Sequence, residues 1–303
     1  MVSVVSWGEL LWDRFPDAQY LGGAAANVAY HAAKLGADAF LVSTVGRDAL
    51  GQRAVAELGH HGVKTELIHV DPSAPTGVVD VEFEAGEPKF RLASSAAWDR
   101  LECNDAVLNA LGEASVFYYG TLAQRTALAC DALTRALAVR GPLKVCDVNL
   151  RPPFVSRRAV EACVLRADVV KMNEHELHAL ARLLDVADVV AALRERGAAR
   201  FVAVTRGGAG AELWASGTWH QCGSVPAASD DSEPHTGEYR EARSKQGDAV
   251  GAGDAFSAVL GLALAKHLAP AAALAAANRY AGYVASRVGA MPPAPNFIDE
   301  LRF

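Results

Sequence analysis

The sequence predicts an α/β chain in three layers: a doubly wound, mainly parallel sheet with helices on both faces and a small β-hairpin lid. Three observations lead there. Short apolar runs alternate with longer stretches of helical period along most of the chain. Those runs lack the polar alternation of a strand with one wet face, so they suit a parallel sheet buried on both sides. One segment alone breaks the rhythm with a period of two.

Taken in order, residues 2–5 read as a strand, 25–35 as a helix, 39–44 as a strand and 50–61 as a helix. Residues 76–92 alternate apolar and polar around Gly86-Glu87-Pro88, the pattern of a hairpin with one solvated face. Such an insert is either a flap or a plain edge hairpin. Strands then follow at 116–119, 143–147, 169–172 and 201–205, separated by helices at 127–140, 159–165, 174–184 and 189–196. An alternation of this kind builds crossover units, and a ligand is expected at the carboxyl ends of the strands. Residues 227–246 are dense in Ser, Asp, Glu, Lys and Arg and read as a solvated loop, an inert insertion. The apolar stretch 255–278 is interrupted by Lys266, His267 and Pro270, which makes it a buried helix pair rather than a membrane span.

Composition narrows the function. Of 303 residues, 51% are hydrophobic and 21% charged, enough for a large core and too apolar for a disordered chain. With 29 basic against 35 acidic side chains the net charge is −6, and no basic face offers itself to nucleic acid. Five scattered cysteines without a CxxC pair argue for reduced thiols rather than a disulfide framework or structural zinc. Only a few apolar residues precede Glu9, too few for a signal peptide. The expectation is a cytoplasmic protein without nucleic-acid or membrane partners.

Four segments carry chemistry. In Gly247-Asp248-Ala249-Val250-Gly251-Ala252-Gly253-Asp254-Ala255-Phe256, small residues leave backbone N–H groups uncovered at a helix N-terminus, an anion site. Asp254 beside an anion is electrostatically awkward unless it works as a base, which is where general bases of phosphoryl transfer sit. In Leu21-Gly22-Gly23-Ala24-Ala25-Ala26-Asn27 the glycines allow close backbone approach, and Asn27 is either a ligand or a helix cap. Asn173 and Glu176, three apart at a strand-to-helix turn, fit a capping box. The strand ending in Thr205-Arg206-Gly207-Gly208 closes in a glycine-rich turn.

Together, in this order, these segments resemble the PfkB, or ribokinase-like, family of carbohydrate kinases over essentially the whole chain. The likeness is strongest to fructokinases, through Gly8-Glu9-Leu10-Leu11-Trp12-Asp13, Gly120-Thr121-Leu122-Ala123-Gln124-Arg125 and Asp147-Val148-Asn149-Leu150-Arg151. The resemblance implies one ribokinase-like domain over 1–303, with lid elements at about 10–22 and 76–98. It implies Asp254 as the base toward a sugar hydroxyl, and the N–H groups of Gly251, Ala252 and Gly253 as the anion hole. Asp13, Gly23 and Asn27 would hydrogen-bond the sugar, with Arg151 on the substrate side. Asn173 would contact ATP phosphates, Thr205 and Gly207 would line the nucleotide groove, and Asn278 would lie near the adenine. Glu176 would hold Mg²⁺ through water. A monovalent cation such as K⁺ would take carbonyls of Asp248, Val250, Val284, Arg287 and Gly289. Arg125 is a candidate for the substrate side or a surface ion pair, and Trp98 for a sugar face or the core. The hairpin is a candidate for pairing subunits into a homodimer.

Three departures from the family pattern stand out. Position 249 is Ala rather than Thr, Ser244-Lys245-Gln246-Gly247 replaces an apolar entry strand, and only residues 14–21 separate Asp13 from the double glycine. The implied activity is ATP-dependent phosphorylation of a sugar, D-fructose first. Ribose, a keto-deoxy sugar acid or adenosine are other acceptors to weigh, and a sugar or nucleotide sensor without catalysis is the rival outside enzymes. An intact Asp254 speaks against the sensor, which needs no base. A keto-deoxy acid would need a cation for its carboxylate, from Arg151 or Arg125.

Overall fold

The computed structural model describes residues 2–15, 18–84, 87–223 and 249–301, with 81–84 and 87–90 as backbone only. The first half runs β1 (Ser3–Trp7), β2 (Leu11–Arg14), β3 (Gln19–Gly22), α1 (Ala24–Lys34), β4 (Asp38–Gly46), α2 (Ala49–His60) and β5 (Ile68–Asp71). It continues with β6 (Gly77–Glu84), β7 (Glu87–Leu92), α3 (Asp105–Glu113), β8 (Val116–Gly120), α4 (Ala127–Leu137) and β9 (Leu143–Asp147). Then come α5 (Arg157–Val164), β10 (Val169–Asn173), α6 (Glu174–Leu184), α7 (Val189–Arg196) and β11 (Phe201–Thr205). The chain closes with β12 (Ala211–Ala215), β13 (Thr218–Cys222), α8 (Ala252–Ala265) and α9 (Pro270–Ala285).

The main sheet is ordered β13-β12-β11-β10-β9-β8-β1-β4-β5. All pairs from β5 to β11 are parallel, while β12 and β13 add an antiparallel edge. Its strands alternate between two cores. Val4, Tyr118, Val145, Val169 and Ala203 face the layer of α1, α8 and α9, whereas Val5, Phe117, Cys146, Val170 and Val202 face that of α3 to α7. Burial on both faces is why these strands are apolar without a polar period. From β1 the chain winds first to β4 and β5, then returns to the opposite side of β1 at β8, so a crevice opens between β1 and β8 at their carboxyl ends.

Helix α8 is buried along its length from Ala255 to Leu264. A Cβ on Gly261 would stand 3.3 Å from both Val116 and Val145 side chains, so the missing side chain lets α8 lie close over β8 and β9. That contact aims its first turn at the crevice. A second sheet, ordered β3-β2-β6-β7, stands beside it. Its pairing of β2 with β6 joins segments far apart in sequence.

Several expectations are adjusted. Glu87 and Pro88 lie inside β7, paired with Glu84 and Phe83 of β6, and are not part of a turn as Gly86-Glu87-Pro88 predicts. Proline is tolerated there because β7 is an edge strand of this sheet. Strands β2, β3, β5, β12 and β13 and helix α3 add to the sequence reading, and α4 ends at Leu137 rather than 140. The predicted polar loop 227–246, the entry residues 244–247 and Asp248 lie outside the described residues. All five cysteines are free. Among the described residues no helix is long and apolar enough to cross a membrane.

Arg125 is in neither place weighed for it. Its Nε bonds Asp99 Oδ1 at 2.5 Å and its Nη2 bonds Asp99 Oδ2 at 2.7 Å, with side chains only 4% and 8% exposed. The guanidinium stacks 4.0 Å from the Trp98 ring and 4.5 Å from Phe154. Trp98 is itself 2% exposed, so it belongs to the core and not to a sugar face. This buried fork ties the end of the hairpin segment to the loop after β8. Removing one partner leaves an unpaired buried charge, so Asp99→Ala is expected to lower stability by about 3–5 kcal/mol, read from urea unfolding.

Candidate active site

Six helices, α2 to α7, begin with an Asp, Asn, Thr or Ser side chain that accepts a first-turn N–H. The two that point at the crevice, α1 and α8, have glycine at that position and no side-chain cap there. Gly251 is left-handed, at φ +77°, and Ala290 would lie 2.6 Å from any Cβ on it. The N–H groups of Gly251 and Gly253 have no protein partner among the described residues, while that of Ala252 makes a long 3.3 Å bond to the Ala249 carbonyl. Two of the three expected anion-hole donors are thus open. In α1, Gly23 (φ +104°) packs on the Glu9 backbone, and the Ala24 N–H donates to Glu9 Oε1 at 3.0 Å.

Asp254 sits half-buried in the first turn of α8. Asn27 Nδ2 donates to its Oδ2 at 2.7 Å, joining the first turns of α1 and α8 across the crevice. The Asn27 Oδ1 atom is buried without a partner among the described residues, an acceptor left for a ligand hydroxyl. Burial pushes the Asp254 carboxyl up to about 7, the nearby Asp147 charge adds to this, and Asn27, Lys171 and Arg151 oppose it. A carboxylate tuned to neutral pH can take a proton from a hydroxyl.

Asp13, half-buried at the end of β2, is pushed up to about 6 by burial, with Arg151 opposing. Gly22 leaves it room, since a Cβ there would stand 2.5 Å from Asp13 Oδ2. Arg151 is exposed, and among the described residues its Nη1 bonds its neighbour's carbonyl at Leu150, 3.1 Å away. Its charge acts on Asp13, Asp254 and Glu9 alike. Asp13, Gly23, Asn27, Arg151 and Asp254 therefore converge on one face of the crevice.

The nucleotide-side candidates lie further along the same strand ends. Asn173 and Thr205 are register partners at the ends of β10 and β11. Gly207 opens a tight turn at φ +53°. Asn278 Nδ2 donates to the Gly223 carbonyl at 2.8 Å, which ties α9 to the end of β13 beside that turn. Glu176 is buried and forms the capping box with Asn173: its Oε2 accepts the Asn173 N–H and its Oε1 the Leu150 N–H, both at 2.9 Å. Burial raises its pKa, and Asp147 adds to the rise. Of the cation-site candidates, the loop carrying Gly289 abuts Gly251 through Ala290.

The sequence reading missed a layer beneath these groups. Lys171 Nζ lies 2.9 Å and 3.2 Å from the two oxygens of Asp147, and Ser257 Oγ lies 3.0 Å from Asp147 Oδ2. Burial pulls the Lys171 ammonium down, yet Asp147, Glu176 and Asp254 together hold its pKa above the ordinary value. A lysine inside an apolar strand, Val170-Lys171-Met172, was the signal available. The Tyr118 hydroxyl is also buried here without a partner among the described residues.

Open backbone N–H donors, a carboxyl whose pKa burial raises and a buried amide acceptor are chemistry suited to transfer of an anionic group to an alcohol. Comparison with known proteins agrees. Fructokinase-1 of Oryza sativa subsp. japonica is 30% identical, over 99% of this chain and 96% of its own. The structure of an uncharacterized sugar kinase from Pyrococcus horikoshii in complex with ATP superposes at TM-score 0.77 with 26% identity, covering 95% of this chain and 94% of that one. Fructokinase from Xylella fastidiosa with bound ATP shares the ribokinase-like fold at TM-score 0.80 and 23% identity, over 95% and 94%. A family model for the pfkB family carbohydrate kinases matches residues 16–296. This chain belongs to the pfkB family of carbohydrate kinases.

Proposed function

We propose that this chain is an ATP-dependent fructokinase, converting D-fructose to fructose 6-phosphate. The observation that carries the reading is Asp254 held by Asn27 at the open N-terminus of α8. Asp13 and Asn27 orient the sugar, and Asp254 takes the proton of the attacking hydroxyl as its oxygen bonds the γ-phosphorus. The bond from that phosphorus to the bridging oxygen breaks, and ADP leaves. The open N–H groups of Gly251 and Gly253 stabilise the charge on the transferred group, and that of Ala252 joins them by giving up its long bond to the Ala249 carbonyl. The choice of fructose is supported by the fructokinase relative and by Arg125, whose charge is spent on Asp99 and is not free for a sugar-acid carboxylate.

ATP lies across the ends of β10 and β11, with Asn173 at its phosphates, Thr205 and Gly207 along the groove and Asn278 near the adenine. Among the described residues no group of three or more His, Cys, Asp or Glu could hold a metal ion. That suits Mg²⁺, which binds through substrate phosphates, water and one or two carboxylates, here Glu176 through water. When bound, Mg²⁺ neutralises phosphate charge. K⁺ beside the anion hole belongs to the same reading, on the carbonyls named above. The small sheet of β2, β3, β6 and β7 serves as the lid of a single domain and as the surface for a homodimer, and the enzyme works in the cytoplasm.

Asp254→Asn keeps the shape and one hydrogen bond but cannot take a proton, so turnover is expected to fall about 10²–10⁴-fold with nucleotide binding retained by calorimetry. Near-normal turnover would remove Asp254 from the mechanism. In the wild type the base acts deprotonated, so kcat/KM should decline as pH drops through about 7. Glu176→Gln should raise the Mg²⁺ concentration needed for half-maximal activity, roughly 10–100-fold if its water-mediated contact is typical. An unchanged Mg²⁺ dependence with a lowered Tm would leave Glu176 a helix cap only. Coupled assays of ADP release across neutral sugars, adenosine and a keto-deoxy sugar acid should show the highest kcat/KM with D-fructose, and a different preferred acceptor would replace that assignment.

A further inference from the structure

Asp147 and Lys171 have no part in the reading above, yet their placement is specific. They are register partners across the parallel β9–β10 ladder, so both side chains emerge on the face that α8 covers. The pair is dry, with side chains 1% and 7% exposed. A Cβ on Gly253 would lie 2.8 Å from Lys171 Nζ, so the ammonium fills the space that the glycine leaves. One turn along, Ser257 Oγ stands 3.0 Å from both Asp147 Oδ2 and the Gly253 carbonyl. The ion pair thus grips the first turn of α8 from beneath at two points, and Asp254 lies between them. Asn27 holds the same carboxylate from the other helix.

Stability does not account for such a pair. Desolvation costs several kcal/mol per ion, and apolar residues of similar volume are often as stable or more so. We propose that Asp147, Lys171 and Ser257 are a positioning unit for phosphoryl transfer, locking the first turn of α8 so that Asp254 and the open N–H groups face one point. The assignment rests on the kinase reading above. It also fixes the charges around Asp254: Asp147 from β9, Lys171 from β10 and Arg151 from the loop after β9, with the neutral Asn27 from α1 and the Tyr118 hydroxyl from β8.

The full-length chain tests this through Tm, steady-state kinetics and pH profiles of three variants. Lys171→Met/Asp147→Leu removes both charges together and is expected to melt at or above the wild-type temperature. Its kcat should drop about 10²-fold, the size of effect a small misplacement of reacting groups can have, with KM for the sugar little changed. A folded double variant with wild-type kcat overturns the proposal. Asp147→Asn keeps the shape while removing one like charge near Asp254, which favours the carboxylate. The acid limb of kcat/KM should therefore move to lower pH by about one unit, a readout that a purely structural role would leave in place. If the double variant fails to fold, this arm decides, and an unmoved limb in folded Asp147→Asn overturns the unit. Asp254→Asn separates the two layers. Wild-type turnover there sinks the base assignment itself, whereas an inactive Asp254→Asn beside a fully active double variant sinks only the positioning unit.

Discussion

A helix that is apolar on all sides is stable only inside a protein, and the burial of α8 orders much of the rest. It lies over β8 and β9 because Gly261 removes the side chain that would hold it off. Its first turn then falls at the carboxyl ends of the strands, beside the crevice that opens where the chain order reverses around β1. A capped helix there would be ordinary. An uncapped one presents N–H groups and the positive end of its dipole to the crevice, an arrangement that favours an anion.

Such a site sets an electrostatic problem. Glu9, Asp147, Glu176 and Asp254 crowd the same end of the sheet, and burial raises the pKa of Glu9, Glu176 and Asp254. The chain answers each differently. Glu9 and Glu176 are tied to backbone N–H groups, and Asp147 is paired with Lys171. Asp254 accepts from one neutral amide and lies only half-buried, so it can gain and lose a proton near neutral pH. What sets Asp254 apart from the other three is the weakness of the donors around it. Arg125 illustrates the same rule for cations, since a bidentate bond to Asp99 and two aromatic faces leave it nothing for a ligand, while Arg151 keeps its charge toward the crevice.

By itself the sequence determined the doubly wound sheet, because strands buried on both faces must be short and apolar and the crossovers between them must carry a helical period. Asp254, the small residues before it and the Asn27 segment also stand out in the sequence, since a run of glycine and alanine opening an apolar helix leaves backbone N–H groups uncovered beside a charged residue. Four-residue strands such as β2 and β3 carry too few residues to show a period, and β2 finds its place only by pairing with β6 from a distant segment. Asp147 and Lys171 are 24 positions apart and meet through strand register, which no local pattern encodes. Tertiary structure alone decided that Lys171 fills the gap at Gly253, that the second oxygen of the Glu176 capping carboxylate takes the Leu150 N–H, and that Arg125 is locked in the core. The reason is the same in each case: a charged side chain is defined by what surrounds it in space, and burial and partners come from elements that the chain brings together only when it folds.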